Sequence, residues 1–242
     1  MDRILELIDE RSAAFRAAVA AAPSLDVPVP SCPGWTLADL VGHIGNGRRK
    51  WAAIVAAGPA DTPVAWEAVE PGEDVDAWLA ESTRLMLDAL REAGPEQGCW
   101  TWWGDSQSPQ NCGAAARHQL QEIAVHTYDA QLAGGAPQPL PDEVALDGVD
   151  EFLRTCASTT SPWPHAPATL DHRVTGGRTW RLWLSADGAR LGEPTDAPAD
   201  GTLEGTANEL VLLFYGRVEL DSLKLDGDRR IYQQLIDWDP SA

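Results

Sequence analysis

His43, Glu122 and His126 are the residues whose types and spacing could do chemistry. Glu122 and His126 lie four apart in Ala-Arg-His-Gln-Leu-Gln-Glu-Ile-Ala-Val-His, a segment whose pattern predicts helix, so they share a face one turn apart. His43 belongs to a second apolar-periodic segment, 37–55. Two neutral imidazoles and a carboxylate from facing helices can hold one Zn²⁺ and leave a coordination position open, which separates a catalytic site from a structural one. The same residues have a plainer reading. A lone helical histidine is more often a hydrogen-bonded core or surface residue, and Glu–His pairs at this spacing are common on solvated faces. The pattern is also not the more specific His-Glu-x-x-His of zinc proteases. His118 extends the stripe by one turn, about 12 Å from His126 along the axis, too far for one ion to take both. Glu122 and His126 are the expected ligands, with His118 beside the site or on the surface.

The elements that must position these residues are legible from periodicity and punctuation. A first helix is expected over 2–22, on the apolar positions Ile4, Leu5, Ile8, Phe15 and Val19. A proline-punctuated loop follows, and Thr36 reads as the N-cap of the helix bearing His43, with Asp39 adding charge at its positive end. Further helices are expected over 73–92, 114–132 and 142–156, with a tryptophan-rich loop (Trp100, Trp102, Trp103) before the second of these. Trp102 and Trp103 are candidates for a pocket wall or for packing between domains. After a proline-rich linker at 161–167 the texture changes to period-two alternation over 169–175 and 179–185, joined by a Gly176-Gly177 hairpin. Short strands near 189–191 and 203–205 and helices over 207–215 and 228–238 complete the chain. The fold class is α+β: a helical domain over 1–160, then a smaller α+β domain over 161–242.

Composition narrows the partners. The formal charge is −19, from 37 acids against 18 bases, which repels nucleic-acid backbones and anionic membranes. No run of eighteen apolar residues exists, and the acidic amphipathic start lacks the features of a signal peptide, so the chain is expected in the cytoplasm. Cys32, Cys99, Cys112 and Cys156 form no metal-binding pattern and are expected as thiols, Cys32 as a small filler rather than a nucleophile. Two lysines against many arginines and alanines suggest a GC-rich genome.

Several motifs together carry a resemblance. Cys-Pro-Gly-Trp-Thr-Leu-Ala-Asp-Leu-Val-Gly-His (32–43), the Trp102-Trp103-Gly104 loop, and Glu-Ile-Ala-Val-His-Thr-Tyr-Asp (122–129) resemble the mycothiol-dependent maleylpyruvate isomerase family. So do Gly-Thr-Ala-Asn-Glu-Leu-Val-Leu-Leu-Phe-Tyr-Gly-Arg (205–217) and Leu-Asp-Gly-Asp (225–228). The resemblance implies a DinB-like four-helix bundle binding a divalent metal, usually zinc, followed by a sterol-carrier-like domain. It implies His43, Glu122 and His126 as ligands, Arg217 as the arginine implicated in activity, and mycothiol, the thiol of actinobacteria, as cosubstrate. Thr127 and His118 depart from the family pattern, standing where arginine is common.

The expected function is therefore a metal- and mycothiol-dependent cis–trans isomerase or thiol S-transferase acting on a small electrophile. The alternatives are a non-catalytic carrier of small molecules and a metal-dependent hydrolase of thiol conjugates. Asp129 is a candidate to orient His126, or else a solvated residue. His165 and the run Asp171-His172-Arg173 receive no role.

Overall fold

The computed structural model describes residues 1–240. Its contacts divide the chain into two units, one built from residues 1–102 and 109–140, the other from 103–108 and 141 onward. The chain is α+β, with a helical N-terminal part and a five-stranded sheet in the C-terminal part.

The first unit contains α1 (Asp2–Ala21), α2 (Leu37–Ala57), α3 (Val75–Ala93) and α4 (Cys112–Ala133). α1 packs mainly on α4, and α2 on α3. Thr36 caps α2 as the sequence predicts: its hydroxyl accepts from the Asp39 amide, and its own amide donates to the Asp39 carboxylate at 2.8 Å. The stripe Leu37, Leu40, Val41 and Ile44 is buried against Phe15 of α1, Leu79 of α3 and Ile123 of α4. Gly45 lies on the same face, and a Cβ there would sit 1.8 Å from the Trp78 ring. That glycine is what allows the indole of α3 to rest directly on the α2 backbone.

The second unit runs α5 (Asp142–Phe152), a π-helical turn (Leu153–Ala157), β1 (Ala168–Val174), β2 (Thr179–Ser185), β3 (Gly188–Gly192), β4 (Gly201–Gly205), α6 (Ala207–Phe214), β5 (Lys224–Gly227) and α7 (Arg229–Asp237). The strand order is β3-β2-β1-β4-β5, antiparallel except for the parallel β1–β4 pair. The sequence placed the change of domain at residue 160. By contacts α5 groups with the sheet unit instead, since it packs on α6 and the Phe152 ring stacks on Phe214 at 4.8 Å. A second difference is β5. Lys-Leu-Asp-Gly has no apolar alternation, so only its pairing with β4 marks it as a strand.

β1 is buried on both faces at its centre. Asp171 forms a two-pronged ion pair with Arg181, its cross-strand partner on β2, at 2.7 and 2.8 Å. His172 is aligned with Trp180 on β2 and Leu203 on β4.

Candidate metal centre

The three residues singled out by spacing come together in the first unit. His43 Nε2 lies 2.7 Å from Glu122 Oε1, and His126 Nε2 lies 3.7 Å from the same oxygen. One potential ligand atom from each of the three lies within 4.8 Å of the other two. The two imidazole rings meet edge-on with centroids 5.0 Å apart.

Local sequence explains the placement. Trp35 donates its amide to the Cys32 carbonyl across Pro33-Gly34, and Gly34 takes φ +83°, the arrangement of a type II turn. The turn delivers the Trp35 ring against His43, with centroids 5.1 Å apart, while Ser31 and Cys32 face α4. On α4, Asn111 caps the first turn by accepting from the Ala114 amide at 2.9 Å. Glu122 and His126 then follow on one face at helical spacing.

Asp129 decides the orientation of His126. It is fully buried, not solvated, and its Oδ2 lies 2.8 Å from His126 Nδ1. Its other oxygen accepts from the Ser31 hydroxyl at 2.6 Å, and the Cys32 thiol approaches Oδ2 at 3.6 Å. With Nδ1 engaged by a carboxylate, Nε2 is the nitrogen left to face Glu122 and His43. That is the arrangement in which histidines commonly bind metals. Cys32, His126 and Asp129 also lie close enough to form a ligand set of their own. That set would have to break the Asp129–His126 hydrogen bond. Cys32 is partly rather than fully buried against the core, and its thiol adds the contact to Asp129.

Burial works against ionisation of Glu122. The His43 hydrogen bond and the fields of His126, His43 and His118 outweigh it and hold the carboxyl down at about 2. The donor set is thus one carboxylate with two imidazoles, chemistry that suits a divalent ion.

A cavity of about 230 Å³ adjoins His43 and Glu122, lined also by His118, Trp51, Trp102 and Arg48 among others. Trp102 is half-exposed and meets His118 edge-on at 5.5 Å, so it forms cavity wall. Trp103 diverges from it, being buried and grouped with the second unit.

Arg48 is the residue that sequence reasoning missed. It is 1 % exposed; Nη1 approaches the Met86 sulfur and Nη2 the Ser12 hydroxyl, each at 3.4 Å. Its Nε has no hydrogen-bond partner among the described residues. Burial lowers its pKa to about 10, opposed by the Glu122 charge, so it stays cationic at neutral pH. The signal was present, because Arg48 continues the apolar stripe four residues after Ile44, where a charge is out of place. Position 127 has the opposite lesson. Thr127 is buried and bonds the Ile123 and Arg11 carbonyls, so a missing arginine there takes nothing from the cavity.

Arg217 lies in the second unit, just past the end of α6, where its guanidinium donates to the Tyr215 carbonyl.

Comparison with known proteins agrees with this organisation. The family model for the mycothiol maleylpyruvate isomerase N-terminal domain matches residues 5–131, and that for the MDMPI C-terminal domain matches 143–234. A search of curated proteins finds no match. Among solved structures, a mycothiol-dependent maleylpyruvate isomerase superposes with a TM-score of 0.59, and a histidine-to-alanine variant described in the same words with 0.60. Each is 14 % identical, covering 93 % of this chain and 92 % of its own, a likeness of fold. With both domain models matched in order, the chain belongs to the mycothiol maleylpyruvate isomerase family, a family of enzymes.

Proposed function

We propose that the chain is a cytoplasmic, metal- and thiol-dependent enzyme that uses mycothiol and acts on a small electrophile, as a cis–trans isomerase or a thiol S-transferase. The observation that carries this reading is the convergence of His43, Glu122 and His126, with His126 anchored through its other nitrogen by Asp129. These three residues would hold the ion, zinc first among the candidates. A divalent ion there supplies positive charge that favours thiolate over thiol at neutral pH.

The chain's own residues supply the rest. Asp129 fixes His126, and Trp35 packs on His43. His43 is partly exposed at 39 %, which leaves the site reachable from solvent. Arg48 and Lys50 put positive charge on the cavity and favour an anionic group on the incoming molecule. In the isomerase reading the thiolate sulfur bonds to one carbon of an activated double bond, whose electron pair moves to the neighbouring carbonyl as an enolate. The resulting single bond rotates, the double bond reforms and the sulfur leaves. In the transferase reading the sulfur–carbon bond persists and the enolate takes a proton, or a leaving group departs with its electron pair. Arg217 is proposed to hold a substrate carboxylate or the enolate oxygen, on the strength of its motif match. The cationic cavity favours the isomerase, since the maleylpyruvate for which the matching structures are named carries carboxylates.

The test is metal content of the purified protein by mass spectrometry, alongside maleylpyruvate turnover with and without mycothiol. About one equivalent of metal, lost in His43→Ala and Glu122→Ala while the circular dichroism stays native, is expected. Absence of metal after reconstitution with Zn²⁺ would overturn the reading.

A further inference from the structure

One face of α2 carries a gap. His43, Gly47, Trp51 and Ile54 follow one another at helical spacing and all line the cavity of about 230 Å³ beside the candidate metal centre. Gly47 stands in the interior of the helix, where glycine destabilises relative to alanine. It has no positive φ, and a Cβ built there would meet nothing within 4 Å. Gly45 is different, since a Cβ there would strike the Trp78 ring. Neither backbone conformation nor a neighbour within the protein calls for glycine at position 47. The tryptophan-rich loop supplies another part of the cavity wall. Its stem is fastened at the start of α4, where the Cys112 and Gly113 amides donate to the Gln97 and Pro95 carbonyls at 2.8 and 2.9 Å. Trp100 and Trp102 line the cavity while Thr101 between them is buried, the alternation of an extended segment. Trp102 is half-exposed, and Trp51 and Trp100 are partly exposed. Three indoles open to one cavity are a large aromatic surface to leave in water.

We infer that the electrophile carries an aromatic ring beside its acidic group, and that the ring lies over Gly47 against the indoles of Trp51, Trp100 and Trp102. Equating this ligand with the electrophile rests on the enzyme reading above; its binding requires neither metal nor thiol. The missing side chain at position 47 leaves the room, and the indoles offer a ring the edge-on or offset contact that aromatic pairs prefer. The volume fits, since a dry cavity of about 150 Å³ takes benzene and the excess here holds a short acidic side chain. Arg48 and Lys50 set the charge. Indoles also attract ammonium ions, but two cations in the same wall repel them and favour a carboxylate. Every residue invoked lies within the first unit.

The experiment measures binding of 3-phenylpropionate and 3-cyclohexylpropionate to the full chain by calorimetry. Both carry the same carboxylate, so whatever a bound ion or the cavity's cations contribute cancels in the ratio. The saturated ring is the more apolar, and plain hydrophobic burial favours it. Contact with the indoles is expected to reverse that order, with the phenyl acid about threefold or more tighter. In Trp102→Leu, at a half-exposed position, that preference is expected to fall by about half or more. Gly47→Leu fills the gap: the phenyl acid is expected to bind about tenfold or more weakly, while the urea midpoint stays equal or rises. Equal affinities, a preference for the cyclohexyl acid, or no binding of either up to about 1 mM would overturn the inference. Undiminished binding or a lowered midpoint in Gly47→Leu would overturn it too, the latter by giving the glycine to the fold. Tighter binding of tetramethylammonium or methyl glucoside than of the phenyl acid would assign the indoles to a cation or a sugar, with the same result. Absence of metal or turnover, with the phenyl preference intact, would strike the enzyme reading and leave the ring site standing.

Discussion

Asp129 and His126 share a 2.8 Å hydrogen bond between a fully buried carboxylate and a ring nitrogen, one turn apart on α4. Because Asp129 is also held by Ser31, the loop before α2 and the helix carrying two of the candidate ligands are tied at one point. Asp129→Asn keeps the volume but loses the charge that raises imidazole basicity. Zinc affinity measured by chelator competition is expected to fall by about 10–100-fold. Ser31→Ala should cost far less, and an unchanged affinity in Asp129→Asn would mean that His126 needs no such partner.

Arg48 is the buried cation of the same cavity. Arg48→Met retains a long, packable side chain. Since the guanidinium is incompletely partnered, chemical denaturation is expected to show equal or higher stability. Turnover of a carboxylate-bearing substrate should instead suffer through KM, by about tenfold or more, with a smaller change in kcat. A loss confined to kcat would assign Arg48 to the reaction rather than to substrate capture.

His172 gives the fold a defined acid sensitivity. Its pKa is lowered from 6.5 to about 4 by burial, so between those values the unfolded chain binds the proton and the folded one does not. Stability contributed by the neutral ring is fully present above pH 6.5, is lost as pH falls through that window, and stops changing near pH 4. The loss amounts to about 3 kcal/mol for this group. Urea denaturation of His172→Phe across the same range should lack that component of the slope.

The Asp171–Arg181 pair is buried on both sides, at 7 % and 4 % side-chain exposure. Arg181→Met leaves a stranded carboxylate in the sheet and is expected to cost about 3–5 kcal/mol in denaturant unfolding. Replacing both partners, as Asp171→Val with Arg181→Met, should recover most of that loss.

The helices were legible because their cues are local. Thr36 with Asp39 marks a start, and a four-residue spacing fixes which side chains share a face. Spacing put Glu122 and His126 on one face, while joining His43 to them rested on two facing helices together with the family motifs. Asp129 was ambiguous because its neighbour Ser31 lies 98 residues away, and burial by a distant loop leaves no trace in helix periodicity. His172 received no role for a related reason. In β1 both faces are covered at the centre, so the period-two pattern that predicts the strand does not tell which of its residues are buried. The π-helical turn at Leu153–Ala157 was read as ordinary helix, since its composition does not distinguish the two.

The indole of Trp78 resting on Gly45 has an evolutionary corollary. Glycine inside a helix costs about 1 kcal/mol relative to alanine, so drift alone should favour its replacement. Here a single methyl meets an aromatic ring at 1.8 Å, and that path is closed while Trp78 stays. Positions 45 and 78 are therefore expected to trade volume among relatives, a small residue facing a ring or a larger one facing a trimmed partner. Since position 45 is two residues from His43, each exchange also resets how far the helix bearing that histidine stands from its neighbour. Inherited variation in this pair becomes a means of adjusting the candidate metal centre without touching a proposed ligand.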